Sequence, residues 1–221
     1  TASYTFTGLT QGTSYTFGIR CTNGSGMTTT KTGNKTTASI TNPTIAYENT
    51  PATAVNGYLK KQILKVTYNN TNIQSPTYYV KTTRAGVSSL AVTQSCGTDT
   101  NPSNCSTITS TTSLAANTWY KVSGNLTVTY TAASTSEGTI YAYAYDGTAK
   151  RTSKTATISK IDTTGPNASI ATSVKTDRAT VTATCSDSEA NTITKYEFSK
   201  DNGATWVANG TTASYTFTGL K

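Results

Sequence analysis

One nine-residue segment occurs twice in this chain. Residues 1–9 and residues 212–220 both read TASYTFTGL, which places the two copies 211 residues apart. Nine identical residues exceed what chance gives even in a threonine-rich sequence. Identity at a fixed spacing is typical of repeated structural units. The sequence therefore predicts that the chain spans about one period of a larger array.

The repeat also predicts where the domain boundaries lie. If the two copies are equivalent, the residues from 10 to about 38 are what should follow residue 220 in an intact domain. Residues 162–220 followed by residues 10–38 make 88 residues, which is the size of one β-sandwich. The expected units are the C-terminal part of one sandwich at residues 1–38, a complete sandwich at residues 39–161 and the N-terminal part of the next at residues 162–221.

Composition and alternation predict strands throughout the chain. Threonine makes up about a quarter of the residues and there are 14 tyrosines, and both types favour strands. Apolar or small residues alternate with threonine over residues 15–21 and 179–185, which indicates half-buried strands. Residues 118–131 predict a long strand or a hairpin around Gly124 and Asn125. Asp201-Asn202-Gly203 predicts a hairpin turn.

Two segments resemble known extracellular domains. The stretch from Leu9 to Phe17, LTQGTSYTF, resembles the tyrosine corner of fibronectin type III domains, with leucine, glycine and tyrosine at matching spacing. The stretch from Tyr196 to Trp206 resembles bacterial Ig-like and fibronectin-like repeats of large surface proteins. The resemblance implies an all-β fold of tandem Ig-like/fibronectin type III-like β-sandwiches, an extracellular location and no enzymatic activity.

The same resemblance implies a role for two cysteines. Cys185 stands where fibronectin type III domains carry a core tryptophan, and Cys21 lies on the counterpart strand. Ig domains join the two equivalent strands by a disulfide, which implies a Cys21–Cys185 bridge. Because these residues belong to different copies of the repeat, that bridge would link neighbouring units. The alternative is two unpaired buried thiols.

The other two cysteines flank a loop rich in turn-forming residues. Cys96 and Cys105 enclose GTDTNPSN, so a disulfide that closes this loop is expected. Such a bridge favours an oxidising, extracellular location. Zinc is disfavoured because the chain has no histidine and no Cys-x-x-Cys pair.

The sequence lacks the residues that most enzymes use. Without histidine, Ser/His/Asp and Cys/His catalysis are excluded, and no phosphate-binding loop occurs. We expect no enzyme, no cofactor and no metal site, although Asp162, Asp187, Glu189 and Asp201 leave calcium open as a weak alternative.

The net charge of +8 is spread thinly, so no nucleic-acid partner is expected. Weak attraction to anionic wall polysaccharides stays open, and no apolar run is long enough for a membrane span.

Three aromatic residues are candidate ligand contacts. Trp206 lies next to the predicted hairpin turn, Trp119 lies at a strand start, and Tyr79 is paired in sequence with Tyr78, so that one of the two rings should point outward. Exposed rings in these places could form a platform for sugars. The alternative is that they belong to the core.

These patterns favour a structural protein. We expect a repeat unit of an extracellular stalk or filament, a stiff disulfide-stabilised spacer whose partners are copies of itself, joined by head-to-tail strand complementation. Two alternatives stay open: an adhesin module that binds a cell-wall or host glycan or a host surface protein, and an accessory sandwich attached to a secreted enzyme.

Overall fold

The chain is built from β-strands. The computed structural model describes residues 2–49, 54, 56–98, 104–147, 150–189 and 192–220, with residues 150–155 described by their backbone alone. Every regular element in this part of the chain is a strand, which confirms the all-β fold class. It contains no helix long and apolar enough to cross a membrane.

The N-terminal segment forms a β-hairpin. Strand β1 (Ser14–Thr22) pairs antiparallel with β2 (Thr28–Thr36) over nine residue pairs. The side-chain oxygen of Asn23 accepts hydrogen bonds from the backbone N–H groups of Ser25 (3.0 Å) and Met27 (2.9 Å), an Asx turn that reverses the chain. Most hairpin residues are exposed, so neither of its faces is covered by a second layer.

The middle segment holds eleven strands in the described residues. They are β3 (Thr44–Tyr47), β4 (Tyr58–Leu59), β5 (Gln62–Thr67), β6 (Thr77–Thr82), β7 (Gly86–Ser95), β8 (Ser106–Leu114), β9 (Trp119–Val122), β10 (Leu126–Tyr130), β11 (Gly138–Tyr145), β12 (Lys150–Ile158) and β13 (Lys160–Ile161).

Nine of these strands share one hydrogen-bonded network in the order β12-β11-β6-β9-β7-β10-β5-β3, with β8 beside β7. Strand β7 pairs with β10 near its start and with β9 near its end, and its register with β8 shifts between these two regions. A strand that changes partners in this way passes from one layer of a sandwich to the other. The two end strands meet where the hydroxyl of Tyr47 donates to the carbonyl oxygen of Thr157 at 2.9 Å.

The core lies between these layers and follows the two-residue period of the strands. Leu64 and Val66 of β5 and Val128 and Tyr130 of β10 are fully buried. Burying each such side chain contributes roughly 1.5–3 kcal/mol. Burial raises the pKa of Tyr130 well above its usual range, and its hydroxyl donates to the hydroxyl oxygen of Thr82 at 3.0 Å, which satisfies the polar group inside the core.

The hairpin expected over residues 118–131 is not formed. A turn does separate β9 from β10, but the two strands do not pair with each other, because β7 lies between them in the sheet. The turn is instead held by Asn125, whose side-chain oxygen accepts the backbone N–H of Tyr68 at 2.7 Å. Sequence adjacency suggested a local pairing that the non-local pairing with β7 replaces.

The chain leaves the middle segment through a tightly held stretch. Strand β13 pairs parallel with β4, and Ile161 is fully buried. The N–H of Asp162 donates to the carbonyl oxygen of Leu59 at 2.9 Å. Just before this point, the buried side chain of Gln62 makes two hydrogen bonds to Ser159: its oxygen accepts the backbone N–H, and its NH2 group donates to the hydroxyl oxygen. Residues 159–162 are therefore fixed to the body of the domain.

The C-terminal segment forms two small sheets. Strands β14 (Asn167–Val174), β15 (Arg178–Ser186) and β18 (Ser214–Thr218) form one, and β16 (Glu197–Phe198) and β17 (Val207–Ala208) form the other. The predicted turn at Asp201-Asn202-Gly203 lies between β16 and β17. Asn202 and Gly203 both have positive φ angles there, 55° and 83°. A small core of Val181, Phe198 and Phe217 lies between the sheets.

Substitution of Gly86 by alanine tests the packing of the middle core. The added Cβ would lie 2.8 Å from Cε1 of Tyr130 and 2.9 Å from Cγ1 of Val128. Because both side chains are fully buried, we expect Gly86→Ala to lower the free energy of unfolding by about 1–3 kcal/mol, measured by urea denaturation. Gly124→Ala is the matched control, since nothing lies within 4 Å of its added Cβ. Equal losses in the two variants would contradict the packing described.

Candidate interaction surface

The expected disulfide between Cys96 and Cys105 is present. It joins the end of β7 to the segment before β8, while residues 99–103 of the enclosed loop lie outside the described residues. The backbone of this region is tied to β9: the N–H of Cys96 donates to the carbonyl oxygen of Trp119 at 2.8 Å, and the N–H of Trp119 donates to that of Gly97 at 2.9 Å. The bridge therefore lies beside the start of β9.

Trp119 and Tyr79 are not exposed, which corrects the expectation that they form an outward aromatic platform. Only 2% of Trp119 and 7% of Tyr79 is accessible. Both pack with Tyr143 and Cys96 in a second apolar cluster. β6, which carries Tyr79, and β9, which carries Trp119, are interior strands of the sheet. One face of each meets the main core, and the disulfide and the tyrosines of β11 cover the other.

A lysine completes this aromatic cluster. The ammonium of Lys81 lies 5.0 Å from the ring centroid of Trp119 and 5.1 Å from that of Tyr141, which is a cation–π arrangement. Lys81 was not predicted as part of a site, although its position two residues after Tyr79 puts both side chains on one face of β6. This cluster therefore stabilises the sheet and leaves no free platform at Trp119.

Trp206, the third candidate, is exposed as expected. The residue is 61% accessible, and its indole lies against Gly203. A Cβ added at Gly203 would lie 3.3 Å from Cζ2 of the indole. The indole borders a groove of about 440 Å³ between the two sheets of the C-terminal segment. The groove is lined mainly by apolar side chains, including Ile170, Val181, Ala183, Cys185, Tyr196 and Trp206.

The groove marks an uncovered sheet face. On β14, Ile170 is 72% and Val174 is 74% accessible. Both lie on the apolar face of this strand, together with Ala168. These residues were not predicted as part of a surface, and the alternation of Ala168, Ile170 and Val174 was the signal that could have found them. An apolar face this bare is typical of an interaction surface or a ligand-binding groove.

The hairpin β1–β2 has a matching bare face. Phe17 of β1 is half-buried and Ile19 is 64% accessible. Together with Tyr4 and Phe6 they line a shallow surface of the N-terminal segment. Cys21 continues the same alternation and is an exposed free thiol, while Cys185 in the groove is a half-buried free thiol. Within one chain the implied Cys21–Cys185 bridge is thus not formed.

The repeated nine residues adopt different structures in their two places. Residues 214–218 form β18, in which Phe217 is 7% accessible and the hydroxyls of Thr216 and Thr180 hydrogen-bond at 2.9 Å. Residues 2–9 form no strand, and their Phe6 is 51% accessible. Since the sequences are identical, the difference comes from β15, which supplies an edge to one copy only.

Tyr15 hydrogen-bonds back to the segment that precedes it. Its hydroxyl oxygen accepts the backbone N–H of Thr10 at 2.9 Å, five residues back along the chain. Hydrogen bonding from Thr10 lowers the pKa of Tyr15. This bond fixes the turn that leads from Leu9 into β1.

Charge is divided unevenly between the terminal segments. Residues 2–38 contain Arg20, Lys31 and Lys35 and no acidic residue, while six of the ten acidic residues lie between residues 162 and 220. Three of these, Asp162, Asp187 and Glu189, have carboxylate oxygens within 4.8 Å of one another. The hydroxyl of Thr164 contacts Asp162 and Glu189 at 3.2 and 3.0 Å. Partly exposed carboxylates commonly approach in this way without an ion, and we assign no metal to them.

Asp201 organises the turn between β16 and β17. The hydroxyl and backbone N–H of Thr205 and the hydroxyl of Ser199 all donate to its carboxylate. These hydrogen bonds, those from Thr205 first, lower the pKa of Asp201 from 3.8 to about 2. Asp201 therefore serves as a turn residue.

No family model matches this chain, and no curated protein matches it.

Removal of the disulfide tests its structural role. The Cys96→Ser/Cys105→Ser double variant should lose about 2–3 kcal/mol of unfolding free energy, because the open loop gains conformational entropy in the unfolded state. Guanidinium denaturation at low protein concentration measures the loss. The Cys21→Ser/Cys185→Ser double variant is the control and should unfold like the unchanged chain. Identical midpoints for all three proteins would contradict the stabilising role.

The turn at Asp201 gives a pH-dependent prediction. Because the pKa of Asp201 is lowered in the folded state, its stabilising effect is present above pH 3.8 and is lost as the pH falls through about 2. Carbon-detected NMR titration should give a midpoint near 2. Thr205→Val removes one donor and should move the midpoint upward, while Thr194→Val, on an exposed residue outside the turn, should leave it unchanged. A midpoint near 3.8 in the unchanged chain would refute the bonding.

Proposed function

We propose that this chain is a structural repeat unit of an extracellular stalk or filament, built from tandem Ig-like/fibronectin type III-like sandwiches and acting as a stiff spacer. The observation that carries the proposal is the nine-residue segment repeated 211 residues apart. It forms strand β18 in the C-terminal segment and leads into β1 in the N-terminal segment. Equivalent segments at this spacing are what a repeating array requires.

The strand inventory of the terminal segments supports the sandwich assignment. The C-terminal segment supplies the sheets β14-β15-β18 and β16-β17, and the N-terminal segment supplies β1-β2. Together these make seven antiparallel strands, the number in the simplest Ig-type sandwich. The bond between Tyr15 and Thr10 agrees with the tyrosine corner that the sequence resembles.

The exit from the middle segment supports a stiff spacer. Ile161 is buried and paired with Leu59, and Gln62 and Arg84 both hydrogen-bond Ser159. Only Asp162 to Pro166 then separate the middle segment from β14. A connection this short, anchored on one side, limits the swing between neighbouring units.

The extracellular location is supported by the disulfide and by the surface chemistry. Stable disulfides persist in oxidising compartments. Only 13% of the residues are charged, while about a quarter are threonine, so hydroxyl groups provide many of the polar contacts with water. The proposal requires no chemical reaction, cofactor or metal ion. Copies of the same chain are its proposed partners.

The competing function is an adhesin that binds a glycan or a host surface protein. The exposed indole of Trp206 is the observation that favours it, since an accessible aromatic ring can stack on a sugar. Trp119 and Tyr79 no longer contribute, because both are buried. Trp206 borders a groove lined by the inner faces of two sheets, and this setting favours coverage by protein.

A glycan array separates the two functions. We expect the fluorescently labelled full chain to bind no glycan above background, because no second exposed aromatic side chain accompanies Trp206 in the groove. If the chain is an adhesin that binds through Trp206, Trp206→Ala should reduce the glycan-binding signal at least about tenfold. Trp119→Phe is the matched control, since it changes a buried ring. Binding that depends on Trp206 would reject the spacer.

A further inference from the structure

We propose that the β1–β2 hairpin of a second copy of this chain docks in the groove of residues 162–220 and completes it as a seven-stranded sandwich. The inference rests on the proposed function, because it takes copies of the chain as neighbours in an array. The second copy is either a separate molecule or the next stretch of the same polypeptide. Both sources present the same hairpin to the groove.

The two surfaces match in chemistry. The groove presents Ile170, Tyr196 and Trp206, and the hairpin presents Phe17 and Ile19. Both faces are largely bare in the single chain. Their contact removes apolar area from water on both sides at once, which is the driving force of most protein association.

The two surfaces also match in backbone hydrogen bonding. Among the described residues, β16 pairs only with β17, and β1 pairs only with β2. Each pair therefore has a free edge with unpaired N–H and C=O groups. A docked β1 beside β16 gives one four-stranded layer, β17-β16-β1-β2, facing the layer β14-β15-β18. Addition of strands to a free edge is a common mode of recognition.

The direction and level of the docked strand follow from the repeated segment. Strand β18 runs antiparallel to β15, and Leu220 after it donates its N–H to the carbonyl oxygen of Asp177, just before β15. The equivalent Leu9 leads through the corner into β1. A docked β1 therefore starts at the same end as β15 and runs parallel to it in the opposite layer.

This placement of the docked β1 brings two thiols together. Cys185 is the eighth residue of β15, and Cys21 is the eighth residue of β1. At about 3.3 Å a residue, both lie about 23 Å from the end where the two strands start. Both side chains face the gap between the layers, because each continues the apolar alternation of its strand. Cys21 of one copy then opposes Cys185 of the other.

Charge complementarity supports the same arrangement. Arg20 precedes Cys21 on β1, and the carboxylates of Asp187 and Glu189 follow Cys185 just beyond β15. Docking brings the cation to the end of the sandwich that carries the acidic cluster. The basic hairpin and the acidic C-terminal segment attract each other before contact.

Disulfide formation with oxidised glutathione tests the docking. In a docked pair a sulfur–sulfur bond forms between Cys21 and Cys185, and the disulfide of glutathione breaks. The two glutathione thiols that leave carry the two protons and two electrons. The Cys21→Ser and Cys185→Ser variants each lack one partner. We expect a covalent dimer when they are mixed, and none from either variant alone.

A surface variant checks that the cross-link depends on the groove. Ile19→Asp should slow dimer formation at least about tenfold, because a carboxylate would have to enter an apolar groove. Thr36→Asp, which adds the same charge on the opposite face of the hairpin but at the far end from Arg20, should leave the rate within about twofold. Dimers formed equally by the single variants alone, or equal rates for the two aspartate variants, would overturn the docking.

A fusion of residues 1–220 to residues 10–221 distinguishes the two sources. An internal link between Cys185 of the first unit and Cys21 of the second assigns the occupant to the same polypeptide, whether or not the free ends of the fusion also link. Links between separate chains with no internal link assign it to another molecule. A link in neither overturns the proposal. If no Cys21–Cys185 link forms and the chain binds no glycan, the docking proposal fails and the proposed spacer function stands. If the link forms and the chain binds glycans through Trp206, the docking proposal stands and the spacer function is rejected.

Discussion

The organisation of this protein depends on one requirement: a sheet with an apolar face needs a second layer to cover it. In the middle segment β7 meets this requirement by pairing with β10 at one end and with β9 at the other. The strands on each side of it can then face each other across the core of Leu64, Val128 and Tyr130. The described residues of the terminal segments include no such strand, so the N-terminal hairpin stays a single layer and the groove between the two C-terminal sheets stays open. The contrast between a closed middle and two open ends follows from this difference.

The alternating pattern of the sequence predicted strands β1 and β15, because the period of two is a local property that each strand carries by itself. Both strands fall where residues 15–21 and 179–185 alternate. The same reasoning failed for strand partners. The segments β9 and β10 look like a hairpin in sequence. In the sheet, however, β7, which comes earlier in the chain, lies between them.

The errors at the candidate site have a related cause. Alternation shows that Tyr79 and its neighbour Tyr78 point to opposite faces, but it does not show that both faces of β6 are covered. That coverage depends on the Cys96–Cys105 disulfide and on the tyrosines of β11. Trp206 was placed correctly, because a residue beside an Asp-Asn-Gly turn stays near the surface. The identical segments at residues 2–9 and 212–220 show the limit most clearly: one is a strand and one is not, with no difference in sequence to predict it.

The duplicated segment also has a consequence for the gene. In a gene that encodes several such units, recombination between two stretches coding for TASYTFTGL joins residue 220 of one unit to residue 10 of another. The product gains or loses whole periods, and the join falls inside a sandwich whose two parts come from equivalent units. Each new joint keeps the strand order, the corner at Tyr15 and the spacing of the cysteines. The length of the array can therefore change by inheritance while the fold of every unit is preserved.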